Sequence, residues 1–207
     1  MQWNEHSKLA GKHAAFTASQ PSWLNKTYDQ MVATLNNSYA TTIGTALHDI
    51  ARKHIEHRIK LTKASKNEVL LSLLADYKIP QDAVNLSLYF ENLCNYVNDA
   101  IGYRLSPEVV LYYSDYFFGT ADAIDFKDNK LRIHDLKTGR TPVHMEQLEI
   151  YAALFCLEYG LRPGNIEMEL RIYKDGDIIV HEPTAEDIVP IIDKMQHFTK
   201  LYDQSVK

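Results

Sequence analysis

The sequence predicts an α+β protein: a central mixed β-sheet with an antiparallel meander, helices on its faces, and a mainly helical N-terminal part. Three observations carry this. Apolar residues recur at helical spacing through the first hundred positions, the period changes to alternation after Pro107, and one helical stretch then separates the meander from a last pair of strands. That order is what a crossover packed on a sheet produces. The 207 residues, 45% hydrophobic and 24% charged, are enough to bury a core without staples.

Residues 1–40 read as irregular, with Pro21 and Trp23 marking a turn before a short helix. Over 44–60, Leu47, Ile50, Ala51, Ile55 and Ile59 recur three and four apart and give one apolar face. A short helix follows over 67–77, closed near Pro80, and Asp82 is placed to cap a third that carries Val84, Leu88, Phe90, Leu93, Tyr96 and Val97. Strands are expected over 109–117, 118–126 and 130–137, the last two joined by a hairpin turn at Asp128-Asn129. Residues 146–159 return to helix. Strands over 166–173 and 178–181 flank a turn at Asp175-Gly176, and an amphipathic helix over 185–202 closes the chain. No linker or repeat divides it. We read one domain over 1–207, with 1–105 mainly helical and 106–207 holding the sheet core and the closing helix.

Composition excludes several classes of protein. Cys94 and Cys156 are the only thiols and both lie in apolar helical patterns, so a disulfide framework and a four-thiolate site are ruled out. No apolar run approaches the roughly 20 residues that span a bilayer. The N-terminal Met-Gln-Trp-Asn-Glu-His-Ser-Lys lacks the basic-then-apolar order of a signal peptide, so a cytoplasmic protein with no membrane partner is expected. The net charge of −5 argues against a nucleic-acid partner until it is divided: residues 1–68 carry +4 and residues 69–207 carry −9. The basic excess includes Arg52, Lys53, Arg58, Lys60, Lys63 and Lys66. Phosphate held there would bind in a salt-sensitive way.

Chemistry enters where charge interrupts an apolar face. Strict alternation puts Asp122 on the face of Phe118, Thr120, Ile124 and Phe126, and Asp135 and Lys137 on the face of Leu131 and Ile133. A buried carboxylate without a partner costs several kcal/mol or shifts its pKa upward. Two carboxylates on adjacent antiparallel strands beside a lysine suit a hard divalent cation such as Mg²⁺. Alone, Asp135-Leu136-Lys137 also reads as a salt bridge at a strand end and Asp122 as a turn cap. Thr138-Gly139-Arg140 follows directly and puts small and basic residues where a phosphate backbone could approach. Gln147 and Tyr151, four apart on the next helix, share one face that reaches back to the strand ends.

Three segments together resemble the PD-(D/E)XK nuclease superfamily in its RecB-type branch, which includes phage exonucleases. They are Gly119-Thr-Ala-Asp-Ala-Ile-Asp125, Leu131-Arg-Ile-His-Asp-Leu-Lys-Thr-Gly139 and Gln147-Leu-Glu-Ile-Tyr151. Gly44-Thr-Ala-Leu-His48 fits that branch's upstream helical histidine, and the resemblance covers roughly residues 40–155. It implies a restriction-endonuclease-like core. It further implies that His48, Asp122, Asp135 and the Leu136 carbonyl hold Mg²⁺ or Mn²⁺, that Lys137 positions the attacking water and stabilises developing charge, and that Gln147 and Tyr151 orient the site or the DNA backbone. Thr138, Arg140, Arg52 and Lys53 are the expected DNA contacts. His54 and His57 are expected to be surface or boundary residues, His134 to face the opposite side of its strand from Asp135, and Asp125 and Glu108 to be near-site carboxylates with structural or supporting roles.

The cysteine count leaves no iron–sulphur cluster of the kind some RecB-type nucleases bind, and no P-loop occurs. The expected activity is exonucleolytic hydrolysis of linear duplex or single-stranded DNA ends. Two alternatives stay open. One is a structure-specific or restriction-like endonuclease. The other is a nuclease-fold interaction module for a host-defence or recombination protein, and a homo-oligomer fits any of these.

Overall fold

The computed structural model describes residues 14–77, 86–138 and 142–205. Among them the elements run α1 (Tyr28–Glu56), α2 (Lys66–Tyr77), α3 (Leu86–Tyr103), β1 (Ser106–Ser114), β2 (Phe117–Lys127), β3 (Lys130–Leu136), α4 (Glu146–Tyr159), β4 (Glu167–Lys174), β5 (Asp177–His181) and α5 (Ala185–Ser205). The strands form one sheet in the order β1-β2-β3-β4-β5, antiparallel except for β3 and β4. Those two run parallel because α4 carries the chain back across the sheet before β4 begins. This is the α+β architecture that the periodicity predicts.

Several boundaries differ from expectation, each for a physical reason. α1 begins at Tyr28, not Gly44. Its N-terminal half has no apolar face to betray it; what starts it is a capping box, in which the Gln30 amide donates to Thr27 Oγ1 and the Thr27 amide to Gln30 Oε1. The hydroxyls of Thr34, Thr41, Thr42 and Thr45 then donate to carbonyls four residues back, so these poor helix formers satisfy their polar groups inside the helix. The apolar run 109–117 is not one strand. It is split by a turn at Asp115-Tyr116, because β1 starts earlier, at Ser106. The hairpin at Asp128-Asn129 is as expected, with both residues at positive φ (51° and 61°), the conformation a two-residue turn needs to match strand twist. Asp82 and Val84 lie outside the described residues.

Both faces of the sheet are covered. On one, Ile43 and Leu47 of α1 and Leu93, Tyr96 and Val97 of α3 pack against Ala123, Leu136 and Tyr173. On the other, Leu148, Ala152 and Phe155 of α4 and Ile188 of α5 pack against Leu131, Ile133, Leu170 and Ile172. Each such large side chain contributes roughly 1.5–3 kcal/mol by leaving water. His134 faces the α3 side, opposite Asp135, as the alternation predicts. Its Nδ1 lies 3.1 Å from the Tyr173 hydroxyl, which donates to Asp99 at 2.8 Å. Burial, with Arg171 and Arg132 nearby, holds the His134 pKa at about 3, so it is neutral. No helix among the described residues is long and apolar enough to cross a membrane.

Candidate functional site

The pleat of β2 does not alternate evenly, and the irregularity falls on Asp122. Gly119 faces Tyr151 of α4, and Ala121 joins the core on that side. Further along, Ile124 joins the same core and the Phe126 ring lies against Phe155 of α4, 5.3 Å between centroids. Odd positions therefore face α4 before Asp122 and even positions after it, whereas Phe118 and Thr120, expected on the Asp122 core face, are exposed. The pairing with β1 shows the matching distortion. Val109 pairs with Ala121 and Pro107 with Ala123, which leaves Glu108 across from Asp122 at a φ of 53°. A positive φ inside a strand is the kind of local kink that re-aims a side chain.

Asp122 consequently sits where α1 and β3 both reach it. Its Oδ2 accepts the Leu136 amide of β3 at 3.1 Å, and His48 Nδ1 of α1 is 3.4 Å away. The Leu136 carbonyl points to the same neighbouring strand as its amide. From the other face, Lys137 Nζ sits 3.0 Å from Asp135 Oδ2 and donates to Gln147 Oε1 at 2.6 Å, and Gln147 Nε2 donates to the Tyr151 hydroxyl at 3.3 Å. Residues from α1, β2, β3 and α4 thus meet in two chains of contact, His48–Asp122–Leu136 and Asp135–Lys137–Gln147–Tyr151, linked by the charge of Asp135 acting on Asp122.

Two glycines set the approach of the helices. A Cβ on Gly44 would stand 2.6 Å from Thr138 Oγ1, so the bare backbone lets α1 close on the end of β3 one turn before His48. Thr138, expected at phosphate, therefore turns its hydroxyl toward Gly44 instead. A Cβ on Gly119 would stand 2.9 Å from Tyr151 Cε1. Gly119→Ala should push the Tyr151 ring away from Gln147 and lower any activity of the site by about tenfold. A Gly119→Ala/Tyr151→Ala double variant should lose no more than Tyr151→Ala alone, measured as relative rates under one set of conditions.

The electrostatics are those of a carboxylate pair short of positive charge. Burial first, then the Asp135 charge, pushes the Asp122 pKa up to about 6, against the opposing pull of His48 and the Leu136 amide. Burial raises Asp135 as well, opposed by Lys137 and His48. Asp135 Oδ2 is buried with no hydrogen bond of good geometry, although the Lys137 charge is close. The wholly buried phenol of Tyr96 lies beneath them, its pKa raised by burial and by Asp122, Asp135 and Glu108.

A raised carboxyl pKa has a definite sign for stability. The Asp122 contribution is fully present below its ordinary pKa of 3.8 and is lost as pH rises through about 6. In EDTA, melting temperature should therefore fall between pH 5 and pH 7.5 by more in the wild type than in Asp122→Asn. Added Mn²⁺ should recover it at pH 7.5 in the wild type only.

The remaining expected residues are placed differently. Arg52 is engaged by Asp49 at 2.8 Å and Glu56 at 3.1 Å, and Lys53 by Asp49 at 2.6 Å, so these cations are neutralised on their own helix. Arg58, Lys60 and Lys63, just beyond, enter no ion pair among the described residues. Arg140 lies outside the described residues. Glu108, expected only to support the site, belongs to it: one ligand atom each from His48, Glu108 and Asp122 lie within 4.8 Å of one another. Placing the hairpin at Asp115-Tyr116 is not enough to find this from sequence: with Ser114 opposite Phe117 a regular ladder sets Glu108 against Ala123, and the register shift between Tyr112 and Ser114 is what brings it opposite Asp122.

Fold and site together define an α+β protein with a histidine, carboxylate and lysine cluster at the junction of β2 and β3. A family model described as "Protein of unknown function (DUF2800)" matches residues 13–161, most of the chain, and the protein belongs to that family. The match spans every member of the cluster. No curated protein matches the sequence.

Proposed function

We propose that this protein is a metal-dependent nuclease of the PD-(D/E)XK type, hydrolysing phosphodiester bonds of DNA, with exonucleolytic action on linear ends as the first expectation. The observation that supports this best is the neighbourhood, at the ends of β2 and β3, of His48 against Asp122 and of Lys137 against Asp135, the two carboxylates close enough for the charge of Asp135 to act on Asp122. The residues fit a divalent cation. Two largely buried carboxylates with raised pKa values and a histidine at the long distance of 3.4 Å are poorly satisfied by each other. A hard cation suits such oxygen and imidazole donors.

His48, Asp122, Asp135 and the Leu136 carbonyl would hold Mg²⁺ or Mn²⁺, which when bound lowers the pKa of water and neutralises charge on phosphoryl oxygens. The chain's own residues do the rest. Lys137, clamped by Asp135 and Gln147, positions the water whose oxygen bonds to phosphorus and donates a hydrogen bond to the phosphoryl oxygens as their charge grows; the P–O bond to the sugar breaks and the departing oxygen takes a proton from solvent water. Because Lys137 is held before substrate arrives, little reorganisation is needed in the transition state. Gln147 and Tyr151 keep that clamp in place. Arg58, Lys60 and Lys63, which enter no ion pair among the described residues, take the role of phosphate attraction that Arg52 and Lys53 are too well neutralised to fill.

The test is digestion of end-labelled linear duplex and single-stranded DNA, beside covalently closed circles, in Mg²⁺, Mn²⁺ and EDTA. Cleavage of linear DNA that EDTA abolishes is expected. Cutting of closed circles would make the enzyme an endonuclease. Untouched DNA in every metal would overturn the proposal.

A further inference from the structure

We propose that Glu108 is itself a ligand of the divalent cation, closing from β1 the site that His48 and Asp122 open; this rests on the metal-dependent reading above. Three observations carry it. First, the ligand atoms of His48, Glu108 and Asp122 all fall within 4.8 Å of one another, and the His48–Asp122 edge is 3.4 Å. Around a cation with bonds of about 2.1 Å, neighbouring ligand atoms lie about 3 Å apart and opposite ones about 4.2 Å. The 3.4 Å edge is long for a charge-assisted hydrogen bond and close to a coordination edge.

Second, Glu108 has no other evident use. It is exposed and makes no side-chain hydrogen bond or ion pair among the described residues. Yet the chain keeps a glutamate where the backbone is left-handed, at a φ of 53°, between two regular cross-strand pairs. A glycine would relieve that conformation, and a glutamate there is explained by its carboxylate. Third, beside Asp122 the carboxylate of Asp135 is about 2% exposed and carries an oxygen without a hydrogen-bond donor. Lys137 is the one ammonium beside Asp135, at 3.0 Å, and His48 is the partner of Asp122, so Glu108 adds a third carboxylate for which these two groups leave no partner among the described residues.

The experiment is Mn²⁺ titration of the full chain without DNA, by calorimetry, with melting curves in EDTA and in Mn²⁺. Glu108→Gln should weaken Mn²⁺ binding by about tenfold or more, and Asp125→Asn, on the same strand as Asp122, by less than about twofold. Glu108→Gly should melt higher than wild type in EDTA, because the left-handed backbone suits glycine, and should lose most of the Mn²⁺-induced rise. Wild-type affinity in Glu108→Gln, or a full Mn²⁺ shift in Glu108→Gly, would overturn the assignment. DNA cleavage by the wild type together with unchanged Mn²⁺ affinity in Glu108→Gln sinks this inference and leaves the nuclease reading intact. Weakened Mn²⁺ binding in Glu108→Gln with a wild type that cuts no DNA does the reverse.

Discussion

Lys137→Ala is expected to slow cleavage of linear DNA by about a hundred- to a thousandfold, the usual loss when one preorganised donor to a developing charge is removed. The fall should lie in kcat, with Mn²⁺ affinity kept, because Lys137 is not a ligand. A second consequence distinguishes this lysine from a surface one. Removing it strands Asp135, whose side chain is only 3% exposed, with a buried negative charge. Breaking a buried pair from one side costs about 3–5 kcal/mol, and because Lys137 is itself 30% exposed, solvent screening brings the expected loss nearer 1–3 kcal/mol. Adding Asp135→Asn should therefore recover much of the melting temperature while leaving the protein inactive. Steady-state rates and melting curves on the three variants decide it. A Lys137→Ala protein that cleaves at the wild-type rate would show that Lys137 serves only to neutralise Asp135.

Gly44→Ala should unseat α1 from the end of β3 and cost about 1–3 kcal/mol, the range for forcing a methyl group into an occupied space. The occupant is Thr138 Oγ1, 2.6 Å from the new Cβ, whereas the Thr138 Cβ lies at 3.8 Å, an ordinary contact. Thr138→Ala removes the hydroxyl and leaves the contact, so the double variant should regain most of the lost stability. Because His48 follows one turn later, Gly44→Ala should also weaken Mn²⁺ binding, and the double variant should restore it. The coupling between the two sites is read from denaturation and Mn²⁺ titration of both single variants and the double. Additive losses would mean that α1 is seated by other contacts.

Much of this organisation was legible in the residues. Asp122, Asp135 and Lys137 interrupt faces that otherwise read as core, and alternation alone places Asp135 and Lys137 on the α4 side, where Gln147 meets the lysine. Gly44, four before His48, is legible only as a motif; its physical use, a helix packed hard against Thr138, needs the three-dimensional contact. Glu108 reads from sequence only as a supporting carboxylate, because the apolar run 109–117 looks like one strand and the register shift between Tyr112 and Ser114 leaves no mark in it. Nothing in a period-two pattern marks the turn at Asp115-Tyr116, since both arms of that hairpin are rich in aromatic residues. The N-terminal half of α1 was missed for the opposite reason: apolar periodicity detects a helix by what it packs on, and this half packs on little. Net charge does not show that Arg52 and Lys53 are neutralised, since it does not register that Asp49 and Glu56 lie three and four residues away on the same helix face.

The sequence by itself determined the element order, the mixed sheet with its parallel crossover, and the residue types of a cation and phosphate site. These are local properties, written in hydrophobic period, turn chemistry and the conflict between a charge and the face it occupies. Tertiary structure alone decided which of those charges are already neutralised, where β2 changes the phase of its pleat, and that Glu108 on β1 faces Asp122. The reason is that pairing register and helix seating depend on contacts between segments far apart in the chain. A slip of one residue in the pleat moves a carboxylate from one face to the other without changing a single letter.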